Sequence, residues 1–406
     1  MSAPLTPEAA REIVLGEVVP LSGEPVALEE CLGRVTAEEV KSALAIQPFD
    51  NSAMDGYALH AADTAGEQPR LRLVGESRAG HPAEVPVGEG EAIWISTGAM
   101  VPGGADAVLP VEDAAEEDGF LLPRRAVAAG EHVRRAGEDV EAGETLIAPG
   151  SRIGAAEIAV LAAAGIAEVG CAARPRVAVL GSGDELVPPG QPLGPGQIHD
   201  SNGFALAALV HEAGSEVDRL VRLPDQAAAT REAIGDALDC DALLVAGGVS
   251  VGRHDHVKGA LAALGVKERF WRVAMRPGGP TWFGVLPREG ARPTLVFGIP
   301  GNPVSAMVTF SLFARPALRA MQGLEPLPGR TRAALATAYR KKPGKAHYLR
   351  CRLELTDDGW RAHLTRERQG SHILTSMLGA EALAVIPADR EEVAAGEQIE
   401  IELLSK

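Results

Sequence analysis

Aromatic residues make up only 4% of this 406-residue chain, so Val, Leu, Ile and Ala must fill its cores. No stretch approaches the ~18 unbroken apolar residues of a membrane-spanning helix. The N-terminal MSAPLTPEAAREIV also lacks the basic-then-apolar pattern of a secretion signal. A chain of the reducing cytoplasm, without a membrane partner, is the expectation. Cysteine is scarce: Cys31, Cys171, Cys240 and Cys351 lie far apart and form no Cys-x-x-Cys pair. That spacing argues against a zinc site or a disulfide framework and predicts buried thiols. Basic residues are in deficit, with 39 Lys and Arg against 55 acids and a net charge of -16. Nucleic acid is therefore excluded as a partner, because phosphate-backbone binding needs clustered cations. Any anionic ligand must be held by a local constellation.

What the chain has in quantity is punctuation. Its 46 Gly and 29 Pro are scattered throughout, and with this length they imply two to four domains built of short elements. TPEAAREIVLGEVV reads as a capped helix, with Thr6 at the N-cap, Pro7 at the first position and Ile13, Val14 and Val18 on one face. From about Ala43 to Ala142 short alternating pieces such as RLRLVG, EAIWIS and DAVLPVE predict a small β-rich unit. SRIGAAEIAVLAAAGIAEVG returns to helix, with Gly165 as its stop. From Arg176 a strand, loop and helix rhythm occurs three times: RVAVLGSGDELV, DALLVAGGVSVG and TLVFGIPGNPVSAMVTFSLFARPALRAM. Such apolar runs suit strands buried on both faces of a parallel sheet, whose ligands bind beyond the carboxyl ends of the strands. After about Gly323, ALATAYRK, HYLRCRLEL and EEVAAGEQIEIELL predict a small β-barrel. There is no internal repeat and no low-complexity linker.

Three loops carry polar chemistry. GGVSVGRH has the glycine spacing of a P-loop from Gly247 to Gly252, but Arg253 and His254 stand where Lys and Ser or Thr are required. Consecutive N–H groups in such a turn can still cradle a phosphate, and a tight strand-to-helix turn is the plainer alternative. GSGDEL starts like a dinucleotide fingerprint at Gly181 and Gly183, yet Asp184 and Glu185 would repel pyrophosphate unless a divalent cation lay between. With Asp255 they make a set of hard oxygen donors suited to Mg²⁺, although Asp184 alone could serve as a turn cap. His254 and His256 have no third soft ligand and read as surface or hydrogen-bonded residues. In IPGNPVS, Asn302 is placed to cap a helix whose first residue is Pro303, and Gly301 allows the backbone close to a ligand. Arg276 in MRPGGP is a cation beside two glycines, suited either to an oxyanion or to a salt bridge. The polar run PFDNSAMDGYAL, from Pro48 to Leu59, is too short and polar for a helix or a buried strand and reads as a turn rich in Asx caps.

PFDNSAMDGYAL, STGAMVPGGADAVLPVE, RRAGEDV, GSGDELV, QIHDSNGFALAALV, GGVSVGRHDHVK and FGIPGNPVSAMVTF occur in the order seen in the molybdopterin molybdenumtransferase family (MoeA, gephyrin E-domain). The chain resembles that family over essentially its whole length. The resemblance implies a multidomain α/β protein, an elongated homodimer of four-domain subunits. A molybdopterin-binding parallel-sheet α/β domain would span 1–22 and 174–322, and a linking domain 23–42 and 143–173. A β-rich lobe would span 43–142 and a C-terminal β-barrel 323–406. The implied reaction takes adenylylated molybdopterin and molybdate, inserts molybdenum into the dithiolene and releases AMP. Charge neutralisation by Mg²⁺ replaces a covalent nucleophile.

Carried over residue by residue, the resemblance makes Asp55, Thr97, Glu185, Asp225 and Asp255 catalytic. Asp55 would reach across the dimer to the partner's crevice. Substrate contacts fall to Asp139, Ser182, Asp184, Asp200, Asn202, Gly247, Gly248, Ser250, Arg276, Pro300, Gly301, Asn302 and Pro303, and Mg²⁺ to Asp184, Glu185 and Asp255. The molybdopterin adenylyltransferase and molybdoenzyme chaperones are the implied candidates for hand-over. One departure stands out: many relatives carry lysines in a K-P-G-x-P segment near the molybdate, where this chain has Arg276 and Gly279. Two other classes stay in view, a receptor-clustering scaffold and a hydrolase of the competence-damage family. The free acids exceed what a scaffold needs. GGVSVG in place of GGLGPT favours molybdenum insertion over the hydrolase.

Overall fold

The computed structural model describes residues 3–224, 226–248, 256–327 and 329–404. Its N-terminal helix, Pro7–Gly16, starts as its sequence predicts: the Thr6 hydroxyl accepts from the Ala9 N–H at 3.2 Å, and Pro7 follows the cap. Ala10 and Val14 are fully buried against the core of the α/β unit, with Ile13 and Val18 packed beside them. The chain then passes through a small unit, leaves it, and returns. Gly23–Ala27 pairs antiparallel with Glu168–Ala172, and Val40–Lys41 pairs with Thr145–Ile147. The helix Ala155–Ala163 closes this unit over Val26, Ile153, Leu161 and Val169. Gly165 follows it in the left-handed region at φ 73°.

Between those passages lies a six-stranded sheet in the order Ala107–Pro110, Gly56–Leu59, Glu91–Ile95, Leu71–Ser77, Phe120–Pro123, Ala114–Glu117. Gly56 is obligatory here, because a Cβ would lie 2.1 Å from the Leu109 carbonyl oxygen of the neighbouring strand.

The α/β unit holds a second six-stranded sheet, in the order Glu216–Leu223, Arg176–Ser182, Ala242–Ala246, Thr294–Ile299, Trp282–Leu286, Lys267–Trp271. The first four strands are parallel; Trp282–Leu286 runs antiparallel to them and to Lys267–Trp271. The three apolar strands anticipated from the sequence form its buried centre. The parallel-sheet expectation holds for the first four strands and needs correction at one edge only; at the opposite edge EVDRLVRL is a parallel, half-exposed strand with polar alternation. On the far side WFGVL returns beside TLVFGI without the helix a parallel crossover would require. The final apolar helix runs Pro303–Thr309, a π-helical segment Phe310–Ala314, and Arg315–Met321, buried along nearly its whole length.

The C-terminal strands Ala346–Thr356, Gly359–Leu364, Arg330–Leu335, Gln398–Leu403 and Ala382–Ile386 close on themselves, since the last also pairs with the first. This five-stranded barrel is stitched to the α/β unit by Met275–Arg276, which runs parallel to Ala346–His347. A buried ion pair also joins them. Arg11 donates to both oxygens of Glu402, at 3.0 and 3.1 Å, with the two residues 4% and 6% exposed. All four cysteines are buried and unpaired.

Candidate active site

The parallel strands of the α/β sheet deliver their loops to one edge. From Arg176–Ser182 the chain leaves towards the Glu216–Leu223 edge, while Ala242–Ala246 lies on its other side. The gap between Arg176–Ser182 and Ala242–Ala246 is therefore the switch point at which open α/β sheets take their ligands. Two glycines let the walls close up. A Cβ on Gly247 would sit 2.7 Å from the Ser182 carbonyl oxygen, and one on Gly248 would sit 2.9 Å from Ser182 Oγ; both have positive φ. The Gly247 N–H is held by Ile299 O at 2.9 Å, which ties this turn to the Ile299–Pro303 loop.

The facing wall comes from QIHDSN. Asp200 Oδ1 accepts from the Gly203 N–H at 2.9 Å and fixes the turn into the helix Asn202–Glu212. Asn202 Nδ2 donates to Gly301 O at 2.7 Å, which orients the amide. Its Oδ1 is buried and accepts nothing among the described residues. A buried acceptor without a donor is costly in the free protein, and a ligand N–H in the crevice would satisfy it. Asp184 and Glu185 are exposed at the crevice mouth, and their carboxylates make no hydrogen bond or ion pair among the described residues.

Asn302 occupies the N-cap position with Pro303 next, as read from the sequence, but its side chain makes no capping bond. That expectation is corrected: Asn302 is exposed with its amide directed elsewhere, and its backbone oxygen instead accepts from the Ala306 N–H at 2.9 Å. The following Val304 N–H donates to Ser371 O at 3.2 Å, on a loop of the barrel. Pro300 is buried beneath the turn. Asp225, Ser250 and Asp255 lie outside the described residues.

That barrel loop leads to residues the sequence reading missed. Arg350 is 0% exposed, yet no acid among the described residues pairs with it. Its guanidinium bonds to Ser376 Oγ at 3.1 Å, to Tyr348 O at 3.3 Å and to Gly370 O at 3.4 Å. Burial, with Arg276 nearby, pushes its pKa down to about 10. A buried cation without a counter-charge is expensive unless an anion completes it. Arg276 itself is exposed and has no acidic partner among the described residues. In the strand register Arg276 lies beside His347, whose Nδ1 meets the Tyr339 hydroxyl at 2.9 Å. Burial first, then Lys341, Arg276 and Lys345, push His347 down to about 4. The signal in HYLRCRLEL was an arginine inside a strand buried on both faces.

On the β-rich lobe the structure brings Asp55 and Thr97 together. Asp55 Oδ1 accepts from the Thr97 N–H at 2.6 Å and from Thr97 Oγ1 at 2.8 Å, and these bonds hold the carboxyl below its ordinary range. The end of PFDNSAMDGYAL corrects the reading of a turn, because Gly56–Leu59 is a fully buried strand inside the lobe sheet; most of the other polar groups support the loop before it. Asp50 binds Arg135 and the Ala136 N–H, Asn51 binds Gln47, and Ser52 Oγ donates to Met54 O. Asp139 is exposed nearby and makes no side-chain bond among the described residues. No hydrogen bond among the described residues joins Asp55 or Thr97 to the crevice of the same chain.

A glycine-lined crevice on an α/β sheet that adjoins a closed barrel, in a chain that also carries a β-rich lobe, defines a molybdopterin-binding class of protein. Residues 178–320 match the family described as the probable molybdopterin binding domain. Residues 5–165 match the MoeA N-terminal region (domain I and II), and residues 332–404 the MoeA C-terminal region (domain IV). The chain belongs to the MoeA family of molybdopterin molybdenumtransferases, enzymes of molybdenum cofactor biosynthesis. A molybdopterin molybdenumtransferase of Haemophilus influenzae is 35% identical over 403 residues, covering 98% of each chain. Molybdopterin molybdenumtransferase 2 of Mycobacterium tuberculosis is 38% identical over 388 residues, 93% of this chain and 94% of that one. Among solved structures, the molybdopterin biosynthesis MoeA protein from Pyrococcus horikosii superposes with a TM-score of 0.86 at 34% identity and covers 100% of both chains. The scaffold and competence-damage readings give way to this assignment.

Proposed function

We propose that the chain inserts molybdate into adenylylated molybdopterin and releases AMP, at a site completed across a cytoplasmic homodimer. The observation that carries this reading is the meeting of two binding halves. Val304 at the crevice donates to Ser371 of the barrel loop, and Gly370 of that loop accepts from the uncompensated Arg350. A phosphate-compatible crevice thus adjoins a pair of cations with no acidic partner among the described residues.

In this reading the domains keep the bounds read from the sequence. The turn Gly247–Gly248 with Ser182 and Ser250 holds the pterin phosphate by N–H and hydroxyl donation. Asn202 Oδ1 accepts from a pterin N–H, Asp200 keeps that wall in place, and Pro300, Gly301, Asn302 and Pro303 form the floor. Arg276 and Arg350 hold molybdate. Asp184 and Glu185 are hard oxygen donors with no competing protein partner, so they fit Mg²⁺, which is commonly bound by one or two carboxylates together with substrate phosphates. Asp255 would add a third oxygen donor. When bound, the ion offsets the charge that builds on the phosphoanhydride. Water adds to that anhydride as its P–O bond breaks and AMP departs, and molybdate loses one oxo group as water, whose two protons come from the two dithiol groups as their sulfurs bond to molybdenum. Asp55, oriented by Thr97, and the acids Asp139 and Asp225 position the reacting groups and accept protons.

The dimer reading rests on the lobe. Its Asp55–Thr97 pair is exposed and makes no bond to its own crevice. Phe49, Met54, Met100 and Val111, in the same and adjoining loops, expose 38%, 38%, 45% and 43% of their surface, as a face covered by a second subunit would. Turnover of adenylylated molybdopterin with and without molybdate and Mg²⁺ tests the reading. AMP release should require both, and release that proceeds equally without molybdate contradicts it.

A further inference from the structure

In a chain with 55 acids against 39 Lys and Arg, a group of cations without acidic partners is an imbalance that a ligand would correct. Two more such cations stand beside the Arg276–Pro280 turn. Arg272 and Lys345 line a cavity of 250 Å³ together with Pro4, Trp271, Val273, Gly279 and Pro280, and no carboxylate of the described residues lines it. Among the described residues neither cation makes an ion pair.

Both are held in place by backbone. The Ala346 N–H donates to Ala274 O at 2.8 Å, and Ala346 pairs with Met275, which sets Lys345 beside the turn. The Lys345 carbonyl accepts from Lys341 Nζ at 3.0 Å, and Lys345 itself lines the cavity. Arg272 has its guanidinium 4.2 Å from the centroid of the Trp271 ring and a left-handed backbone, φ 76°. That backbone is clamped by the Arg272 N–H to Thr281 O bond at 2.9 Å. A non-glycine residue persists there only when its surroundings over-determine it, a condition common at ligand sites. The electrostatic neighbourhood is shared, because Lys345 and Arg276 both act on His347. Gly279 contributes no charge to the wall it forms.

We propose that Lys345, supported by Arg272, supplies the outer cation of the molybdate site in the place that Gly279 leaves uncharged; this rests on the reading of Arg276 and Arg350 as the inner cations. The ligand class is a tetrahedral oxyanion of two negative charges. The outer cations favour a dianion over a monoanion because the attraction scales with charge.

The test uses the full-length protein in four forms: wild type, Lys345→Ala, Gly279→Lys and the double variant. Gly279 is not in the left-handed region, and a Cβ there would meet Met275 O at 3.2 Å, so the lysine requires a shift of a few tenths of an ångström. Labelled molybdate is titrated in equilibrium dialysis and, separately, against AMP release. Lys345→Ala should weaken both constants by roughly 3- to 10-fold, the range of one partly solvated charge. Gly279→Lys placed on Lys345→Ala should recover most of that loss. Should Gly279→Lys not fold, Lys345→Glu, at an exposed position, should weaken molybdate further than Lys345→Ala does. Unchanged constants in Lys345→Ala, or no recovery in a folded double variant, overturn the outer cation. A wild type whose AMP release ignores molybdate overturns instead the reaction on which the inference rests.

Discussion

Neutralising Glu402 should loosen the barrel from the α/β unit. Glu402 Oε1 takes Arg11 Nη2 at 3.0 Å and Arg330 Nη2 at 2.9 Å, and Oε2 takes Arg11 at 3.1 Å. Arg11 Nε is also fixed to Leu312 O at 3.1 Å, so the guanidinium cannot swing out to water without losing that bond. Glu402→Gln keeps one acceptor but presents an amide donor to a guanidinium and leaves the Arg11 charge uncompensated. Removing one partner of a buried pair costs about 3–5 kcal/mol, and the retained acceptor puts this case near the lower end, at about 3 kcal/mol. Arg330 keeps Glu400 at 3.0 Å and limits the damage on its side. A multidomain chain need not unfold in one step, so the readout is hydrogen exchange in Pro7–Gly16 and Gln398–Leu403, where opening should become cheaper by that amount. The paired replacement Arg11→Met with Glu402→Leu should return to within ~1 kcal/mol of wild type, since two apolar groups leave no orphan charge. A loss below ~0.5 kcal/mol in Glu402→Gln, the range of an ordinary surface change, would refute the argument that this charge is held dry. The consequence reaches the proposed molybdate site, because the barrel so anchored carries Arg350 and Lys345.

The Asp55 carboxyl is held below its ordinary range by the bonds that Thr97 donates to its charged form, so Asp55 should stay ionised to lower pH than an ordinary carboxyl; Thr97→Val removes one of those bonds and should shift the acid limb of AMP release upward, as a pH profile at saturating substrates would record. Neutral His347, depressed to about 4, favours the folded state at pH above the unfolded value of about 6.5, and that contribution is lost as pH falls from there through its folded pKa. His347→Gln should therefore flatten the stability-versus-pH slope between roughly 6.5 and 4 in urea unfolding. On the proposed composite site, in which lobe and crevice come from different subunits, mixed dimers of Asp55→Asn with Glu185→Gln should regain one working site of two; co-expressed heterodimers that are folded yet inactive would count against it.

Legibility in the sequence followed the strength of local constraint. Thr6–Pro7, Gly165 and the three apolar strands declared themselves because capping, left-handed turns and two-sided burial each restrict residue type in a short window. The half-exposed strand Glu216–Leu223 and the antiparallel pair at the other edge did not, since their place depends on pairing with distant segments. The crevice was readable as three polar loops because all three end buried parallel strands. Arg350 was not, for its meaning comes from what it lacks, an acid within reach, and only the packed barrel reveals that. Asn302 shows the reverse: its sequence position marked the helix start correctly, while the side chain leaves the cap bond unmade.

The central claim is that AMP leaves because molybdenum enters. A single-turnover experiment with enzyme in excess over adenylylated molybdopterin, in which AMP and pterin-bound molybdenum are quantified from the same reaction, tests it directly. The account predicts that the two appear together in a one-to-one ratio and that neither forms when molybdate is omitted. AMP formed in full without molybdate, or molybdenum incorporated while the adenylyl group stays in place, would contradict it.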